Sequence, residues 1–269
     1  MREMTKWYLV AALMVAVAGC KHPLGPDEVD TANKPTSTNE PTGFTPVANR
    51  GFNNLEEDNW IYGGPSSAYA EMKDDAAPQS KPAIGRITIP QGFGSGQSPL
   101  HFERQIKPSD HFYVNLWFRV SDNWEHNQIN DGLIALWAGG QPRIYWGWRA
   151  DSTGQGMHPT VMVSTDEVET NSLWLDPNVV KDATISRGAW HHIEFEVETS
   201  AGTSGLGRYV CWLDGTKIAS YDNVPFGYLK HGWHWEMLQV GPAWGGETKP
   251  IDQSQSIDFD HFYMSAKTL

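Results

Sequence analysis

Apolar and polar residues alternate with a period of two along most of the chain after Gly51. This spacing predicts short β-strands, because successive side chains of a strand point to opposite faces. Gly, Pro, Asn and Asp separate the runs, and no stretch keeps helical periodicity over several turns. The predicted strands lie at 86–89, 112–120, 133–137, 143–149, 161–165, 190–198, 208–213, 217–221, 236–240 and 257–264.

So many short strands predict an all-β fold, either a sandwich or a barrel. The turn Leu213-Asp214-Gly215-Thr216 predicts a hairpin, because Asp-Gly tolerates the positive φ angles of a tight turn. The region 51–269 has about 220 residues, a length that suits one large sandwich domain better than two domains.

The first residues have the pattern of an export signal. Arg2 and Lys6 precede an apolar run at 7–17, which is too short to span a bilayer, and Val17-Ala18-Gly19-Cys20 follows. This arrangement resembles the bacterial lipoprotein box, which implies removal of residues 1–19 and acylation of Cys20. By the same resemblance, Lys21 favours the outer membrane, so the chain is expected in the cell envelope, either periplasmic or surface-exposed.

Residues 20–50 are predicted to be a disordered tether between the anchor and the domain. Prolines stand among polar residues, and few apolar groups are present to offset the entropy of ordering. The chain has 2 cysteines, Cys20 and Cys211. If Cys20 is acylated, Cys211 has no partner, and the domain folds without a disulfide.

The net charge of -12 argues against nucleic acid as a partner. It also means that a polyanionic glycan would need a local basic patch. We expect the protein to be a monomer. We expect it to be attached to the membrane through the lipid on Cys20.

Four segments resemble the concanavalin A-like lectin/glucanase superfamily: residues 188–195 (GAWHHIEF), 209–215 (YVCWLDG), 239–246 (QVGPAWGG) and 257–265 (IDFDHFYMS). The resemblance covers roughly residues 55 to 266 and implies a single jelly-roll antiparallel β-sandwich with a glycan on its concave face. Lectins, laminin G-like modules, glycosidases and polysaccharide lyases share this fold, so it does not assign an activity.

Two predicted strands carry side chains suited to sugars, which need aromatic rings and planar polar groups. On 112–120 the outward residues are Tyr113, Asn115, Trp117 and Arg119. On 143–149 they are Arg143, Tyr145 and Arg149, with Gly147 leaving space, whereas Trp146 and Trp148 are expected in the core. If the two strands are neighbours, Arg119, Arg143 and Arg149 form a basic patch for a uronate. Trp233 and Trp244 are expected on a loop rim of the same groove.

A lyase of this fold needs a Tyr or His base and a group that neutralises the uronate carboxylate. The candidate bases are Tyr113, Tyr145, His192 and His234, and Arg119 is a candidate neutraliser. Gln128-Ile129-Asn130 resembles the Gln-Ile-His of alginate lyases, with Asn in place of His. Glu194, Glu196 and Glu198 share one strand face, which is typical of a solvated surface, and their spacing does not match a β-glucanase motif.

No cofactor is expected except a possible calcium ion. Asp258 and Asp260 are predicted on one face of the last strand with Phe262 and Met264, where they would bind calcium or cap backbone groups. His231 and His234 lack an evident third ligand for a transition metal.

No complete catalytic motif is present, so the sequence does not decide whether the protein is an enzyme or a binding protein. The favoured interpretation is a lipoprotein that binds a polysaccharide or other glycan without cleaving it. The alternatives are a glycan-active enzyme, either a polysaccharide lyase or a glycoside hydrolase, and a structural or protein-binding laminin G-like lipoprotein.

Overall fold

The computed structural model describes residue 35 and residues 39–55, 60–94, 98–125, 131–138, 141–150, 156–164, 172–199, 206–226, 234–244 and 250–267. Residues 137, 138, 141–143 and 164 are described by their backbone alone. The predicted signal peptide, Cys20, Gln128-Ile129-Asn130 and Trp233 lie outside the described residues.

The regular secondary structure of the described residues is almost entirely β-strand, as the alternation predicts. The strands are β1 (Thr45–Arg50), β2 (Ile61–Gly63), β3 (Tyr69–Lys73), β4 (Ala83–Ile89), β5 (His101–Ser109), β6 (His111–Val120), β7 (Asp131–Ala138), β8 (Gln141–Ala150), β9 (Met157–Ser164), β10 (Ser172–Leu175), β11 (His191–Glu198), β12 (Leu206–Leu213), β13 (Thr216–Pro225), β14 (Trp235–Trp244) and β15 (Gln255–Ala266). A short 3-10 helix covers Ser66–Ala68. Each strand predicted from the sequence overlaps one of these.

The strands form two antiparallel sheets. Sheet A has eight strands in the order β13-β12-β11-β6-β15-β4-β3, with β1 also paired to β15. Sheet B has seven strands in the order β10-β9-β8-β7-β14-β5-β2. Buried side chains from both sheets form one hydrophobic cluster between them, so the fold is the predicted jelly-roll sandwich.

Aromatic side chains dominate this core. Trp146 and Trp148 on β8 are fully buried, as predicted, and Phe118 on β6 reaches them from the other sheet. The Phe118 and Trp148 rings stack with centroids 5.7 Å apart and planes 5° apart. Large rings bury much apolar area per residue, which helps a sandwich without a disulfide to fold.

The hairpin between β12 and β13 forms where Asp-Gly predicted it. Asp214 has φ 50° and Gly215 has φ 77°, the positive values that suit a two-residue turn. Cys211 on β12 is free and buried, and burial raises the pKa of its thiol to about 12. No helix in the described part of the chain is long and apolar enough to cross a membrane.

The boundary predicted between tether and domain at residue 50 is wrong. β1 lies within the predicted tether but pairs with β15, and Ala48 and Arg50 are fully buried. The Arg50 guanidinium lies 3.9 Å from the centroid of the Phe102 ring. A strand this short gives a weak alternation signal, and pairing with a distant strand makes it part of the fold.

Candidate functional site

The two strand faces proposed to share a groove lie in different sheets. β6 lies between β11 and β15 in sheet A, whereas β8 lies between β7 and β9 in sheet B. Because the core separates the sheets, their outer faces point in opposite directions. The single basic patch predicted from Arg119, Arg143 and Arg149 is therefore wrong.

Arg119 on the outer face of sheet A is already paired with two carboxylates. Its guanidinium donates to Asp258 at 2.7 Å and lies 2.8 Å from Asp74 Oδ2. The same group packs 4.7 Å from the ring of Trp190. Its charge is balanced within the protein, so Arg119 is a poor ligand for a uronate.

The acidic residues of the last strand, β15, form hydrogen bonds with other parts of the protein. A register shift between Phe259 and His261 interrupts the alternation of β15. Phe262 and Met264 consequently face the core, and the face predicted to combine them with Asp258 and Asp260 is wrong.

Asp258 accepts hydrogen bonds from Arg86 and Arg119. Asp260 accepts backbone hydrogen bonds from Gln79 and, at 2.8 Å, from Ser80. Burial raises the pKa of Asp260. The backbone partners of Asp260 match the capping alternative, whereas Asp258 pairs with arginine side chains instead. The described residues contain no group of three or more His, Cys, Asp or Glu placed to hold a metal ion.

Tyr113 and Asn115 belong to a buried network rather than to an accessible groove. The Tyr113 hydroxyl donates to Glu194 Oε1 at 2.5 Å, and Asn115 Nδ2 donates to the Tyr113 oxygen at 3.3 Å. Asn39 reaches over this face and donates to Glu194 Oε2 at 2.8 Å. All three network residues on the sheet are at most 1% exposed. Tyr113 and Asn115 are therefore poorly placed to contact a polymer.

The glutamates of β11 are largely buried, so the prediction of a solvated face is wrong. Glu196 is 7% exposed and accepts a hydrogen bond from His111 Nε2 at 2.7 Å. This bond lowers the pKa of Glu196. Phe44, in the segment that leads into β1, packs edge-on against His111 at 4.6 Å. Residues 39–44 cover this part of sheet A, and only Glu198 remains exposed.

The two histidine candidates also lie apart. His192 on sheet A stacks on Trp117 with ring centroids 4.4 Å apart, and burial lowers its pKa. His234 immediately precedes β14 of sheet B, where its Nδ1 lies 2.5 Å from Asp110 Oδ1. Because Arg119 and His192 lie on sheet A and Tyr145 lies on sheet B, the candidate lyase residues do not form one site.

Ser186, His191 and Asp214 are spaced like a nucleophilic triad. His191 Nε2 lies 2.9 Å from Ser186 Oγ, and Nδ1 lies 2.8 Å from Asp214 Oδ2. However, the Ser186 backbone N–H also donates to Nε2 at 3.0 Å, and the nearby Gly188 N–H is bonded to a strand carbonyl. The arrangement ties the turn before β11 to the hairpin after β12, so we interpret it as a structural clamp.

Among the described residues, the outer face of sheet B is more accessible than the centre of the sheet A face. Strand register places one outward residue from each strand in a continuous row, here called the sheet B row. In order across the sheet its members are Ile61, Glu103, Gln239, Ala135, Tyr145, Met162 and Trp174. All except Ala135 are partly or fully exposed, in contrast to the buried centre of the sheet A face.

Tyr145 and Gln239 flank the small side chain of Ala135. Neighbours of Tyr145 and Gln239 along their strands point into the core, so both side chains point outward. Two strand spacings separate them, which places their Cα atoms about 10 Å apart. The methyl group of Ala135 leaves a depression between a phenol and an amide.

Arg149, also on β8, lies beside one end of the sheet B row. Its Nη2 donates to Asp176, and its guanidinium lies 5.1 Å from the centroid of the Trp174 ring. Thr160 donates to the other Asp176 oxygen at 2.8 Å, which fixes the carboxylate. The cluster places an ion pair against an aromatic ring at the edge of the open face.

The remaining predicted residues have mixed outcomes. Trp244 is 3% exposed and belongs to the core, so its predicted place on a rim is wrong.

Gly147 does not leave space for a sugar, because a Cβ there would meet the Asp131 carbonyl oxygen at 1.9 Å. The glycine is required by the close approach of β7. The side chain of Arg143 lies outside the described residues, so its predicted role stays a prediction.

The sequence predictions missed Gln239 and Trp174. Gln239 lies within a predicted strand, between the core residues Leu238 and Val240, so its outward direction followed from the alternation. A lone glutamine gave no reason to select it. Trp174 lies on a four-residue strand, which is too short for a clear period-two signal.

A phenol and an amide across a shallow depression are suited to proton abstraction beside a carboxylate. The phenolic oxygen is able to exchange a proton, and the amide N–H groups are able to stabilise negative charge on a carboxylate as the proton leaves. Both groups lie on strands, which hold side chains in defined positions.

Comparison with known proteins matches residues 50–242 to the family described as polysaccharide lyase. Among solved structures, endo-β-1,4-glucuronan lyase from the fungus Trichoderma reesei aligns with a TM-score of 0.51 and 13% identity, covering 79% of this chain and 89% of that one. Alginate lyase vAL-1 from Chlorella virus aligns with a TM-score of 0.57 and 10% identity, covering 77% of this chain and 93% of that one. Cellulose induced protein Cip1 aligns with a TM-score of 0.50 and 13% identity, covering 82% of this chain and 97% of that one. A search of curated proteins found no match.

At these identities the solved structures show a shared fold and nothing finer. The fold that they share with this chain is the predicted jelly-roll sandwich. The family match is independent of them and covers more than half of the sequence. The chain belongs to the polysaccharide lyase family.

Proposed function

We propose that the chain is a polysaccharide lyase that cleaves a uronate-containing polymer by β-elimination. The observation that carries the proposal is the placement of Tyr145 and Gln239 on either side of Ala135, on the accessible face of sheet B. Family membership supports this enzymatic alternative over the glycan-binding interpretation favoured by the sequence.

In the proposed reaction Tyr145 first loses its hydroxyl proton to water, and the resulting phenolate oxygen removes the proton on C5 of the uronate. The electron pair forms the C4–C5 double bond, and the bond from C4 to the glycosidic oxygen breaks. That oxygen receives a proton from the same phenol or from water. Gln239 donates to the carboxylate, where negative charge builds up as the C5 proton leaves. Arg143 is predicted to bind the uronate, and this stays a prediction because its side chain lies outside the described residues.

The test uses the full-length chain with a panel of uronate polymers, monitored at about 232 nm, where the unsaturated product absorbs. A rise in absorbance is expected with at least one polymer. Loss of one acid–base group typically costs 10²–10⁴-fold, so Tyr145→Phe is expected to lower kcat by at least about 100-fold with little change in KM. Tyr62→Phe, on the same sheet but packed against the core, is the matched control.

The outcomes separate lyase from binding protein. An unchanged rate in Tyr145→Phe would remove Tyr145 from the reaction. No absorbance rise with any polymer, combined with retardation of the chain in polymer-loaded gels, would support a binding protein without lyase activity. No retardation in any gel would support a structural role of laminin G type.

We also propose that the chain is exported and held at the outer membrane by lipid on Cys20. The Ala-Gly-Cys sequence at the end of the apolar run supports this. Residues 39–44 contact the outer face of sheet A, the face opposite the sheet B row. Detergent phase partitioning of the full chain tests the anchor. Cys20→Ala is expected to move the protein into the aqueous phase, and unchanged partitioning would reject lipidation.

A further inference from the structure

Four side chains form a compact cluster at the β10 edge of sheet B, here called the Trp174 cluster. Its members are Arg149 on β8, Thr160 on β9, Trp174 on β10 and Asp176 directly after β10. Leu173 and Leu175 pack against the core, so the partly exposed ring of Trp174 between them points to the outer face. The cluster therefore lies on the same face of sheet B as Tyr145 and Gln239.

Hydrogen bonds from several strands hold Asp176 in place. The Arg149 guanidinium donates to Oδ2, and the hydroxyl of Thr160, a residue that is 2% exposed, donates to Oδ1 at 2.8 Å. The Tyr221 hydroxyl, from β13 in the other sheet, donates to the Asp176 backbone oxygen at 2.6 Å. A ligand that binds here meets polar groups that are already positioned, so little side-chain entropy is lost on binding.

A second arginine–aspartate–tryptophan group, on sheet A, provides a contrast. Arg119 lies 4.7 Å from the centroid of the Trp190 ring, close to the 5.1 Å between guanidinium and indole in the Trp174 cluster. The side chains of Asp258 and Arg119 are 4% and 21% exposed. In the Trp174 cluster the aspartate and arginine side chains are 45% and 36% exposed. The group on sheet A is a closed structural contact, whereas the Trp174 cluster keeps polar surface for a ligand.

The open groups of the Trp174 cluster match the chemistry of a sugar. A guanidinium has five N–H donors and a carboxylate accepts at about four positions, so the bonds within the cluster leave both groups with further capacity. A donor beside an acceptor pairs with two adjacent hydroxyls of a pyranose, one that accepts from Arg149 and one that donates to Asp176. The neighbouring indole ring packs against C–H groups of the same sugar.

The Trp174 cluster also lies at a suitable distance from the proposed reacting position. Trp174, Met162 and Tyr145 are aligned across β10, β9 and β8. Two strand spacings place the Cα atoms of Trp174 and Tyr145 about 10 Å apart, a distance that a short stretch of polymer spans. We infer that the Trp174 cluster is a subsite that binds one sugar unit of the polymer through adjacent free hydroxyls. The inference rests on the proposed lyase function, which places the reacting uronate at Tyr145 and Gln239.

The first experiment measures how KM depends on substrate length. The probes are size-fractionated oligosaccharides of alginate, polyglucuronate and hyaluronan, from disaccharide to decasaccharide, and the protein is the full-length chain. A decasaccharide is long enough to reach both the reacting position and the Trp174 cluster, whereas a disaccharide reaches only one of them. For a polymer that is cleaved, we expect KM to fall with length until the oligosaccharide spans both positions.

The second experiment removes members of the cluster. Loss of a ring that packs against a sugar removes binding alone, so Trp174→Ala is expected to raise KM on the decasaccharide at least about 5-fold, with little change in kcat. The increase should be smaller on the shortest oligosaccharide that is cleaved, because it does not reach the cluster. A purely structural role would lower stability without this dependence on length.

Two further variants and a control keep the test valid if Trp174→Ala folds poorly. Trp174→Phe is expected to retain part of the affinity, and Arg149→Gln should raise KM with the same dependence on length. The matched control is Trp190→Ala, which removes a partly exposed ring beside an arginine on the opposite sheet. Its KM should equal that of the wild type at every length.

The outcomes separate this inference from the proposed function. If a polymer is cleaved but KM of the Trp174 and Arg149 variants stays at the wild-type value, or rises equally at all lengths, the subsite is overturned and the lyase proposal stands. If the chain is retarded in gels loaded with one of the three polymers but cleaves none, weaker retardation of Trp174→Ala supports the subsite, and unchanged retardation overturns it. With neither cleavage nor retardation, the proposed function fails, and the inference that rests on it fails as well.

Discussion

Replacing Asp258 with asparagine removes the charge that holds two arginines on the outer face of sheet A. Arg86 Nη2 donates to Oδ2 at 2.9 Å and Nε to Oδ1 at 2.5 Å. Arg119 donates to Oδ2 from Nε at 3.0 Å and from Nη2 at 2.7 Å. Hydrogen bonding to this carboxylate raises the pKa of Arg86. Asparagine keeps the shape but loses the charge and part of the accepting capacity.

Burial determines the size of the expected effect. The Asp258 side chain is 4% exposed, whereas those of Arg86 and Arg119 are 32% and 21% exposed. Breaking a buried ion pair from one side costs about 3–5 kcal/mol. Because both arginines reach solvent and Arg119 keeps Asp74, we expect the lower end, a loss of about 3 kcal/mol in the free energy of unfolding. For a domain of this size, that loss lowers Tm by about 6–12 °C.

Thermal and urea unfolding, followed by circular dichroism and tryptophan fluorescence, measure this loss. Asp222→Asn is the control, because Asp222 is 78% exposed and its pair with Arg208 is expected to contribute less than about 1 kcal/mol. A loss below about 1 kcal/mol in Asp258→Asn, similar to that of the control, would refute the view that this carboxylate organises the sheet A face.

Three further predictions concern the folded chain. Burial lowers the pKa of His261 to about 4 from 6.5, so the unfolded chain gains a proton first as pH falls. Stability should therefore decline by up to about 3 kcal/mol between pH 6.5 and 4, and a decline just as steep in His261→Gln would contradict this. Gly147→Ala should cost about 2 kcal/mol or more because of the Asp131 carbonyl, whereas Gly94→Ala, with open space around it, should be near neutral in urea unfolding. Cys211 should react with a thiol reagent only after unfolding, and rapid reaction in the native state would contradict its burial.

The local pattern of the sequence was sufficient for the strands and for the side of each strand that faces the core. Phe118, Trp146 and Trp148 are buried as predicted, because the pleat of a strand fixes side-chain direction from residue to residue. The hairpin at Asp214-Gly215 was predictable for a similar reason, since few residues adopt the φ angles that it needs.

The neighbours of each strand were decided by the tertiary structure alone. β6 pairs with β11 and β15, which lie far along the chain, and β8 lies in the other sheet. No periodicity within a strand specifies such a pairing, because it depends on how the connections cross between sheets. The same long-range packing places residues 39–44 over Glu194 and buries it, whereas local sequence marked it as a surface residue.

The candidate site shows the same division between local and long-range information. The outward direction of Tyr145 followed from the alternation along 143–149, and the sequence selected this residue. Its partner across Ala135, Gln239, comes from a strand more than ninety residues later. The sequence determined which side chains leave the core, because that is a property of a single strand. Only the assembled sheet decided which of them meet, because that depends on hydrogen-bonded register between distant strands.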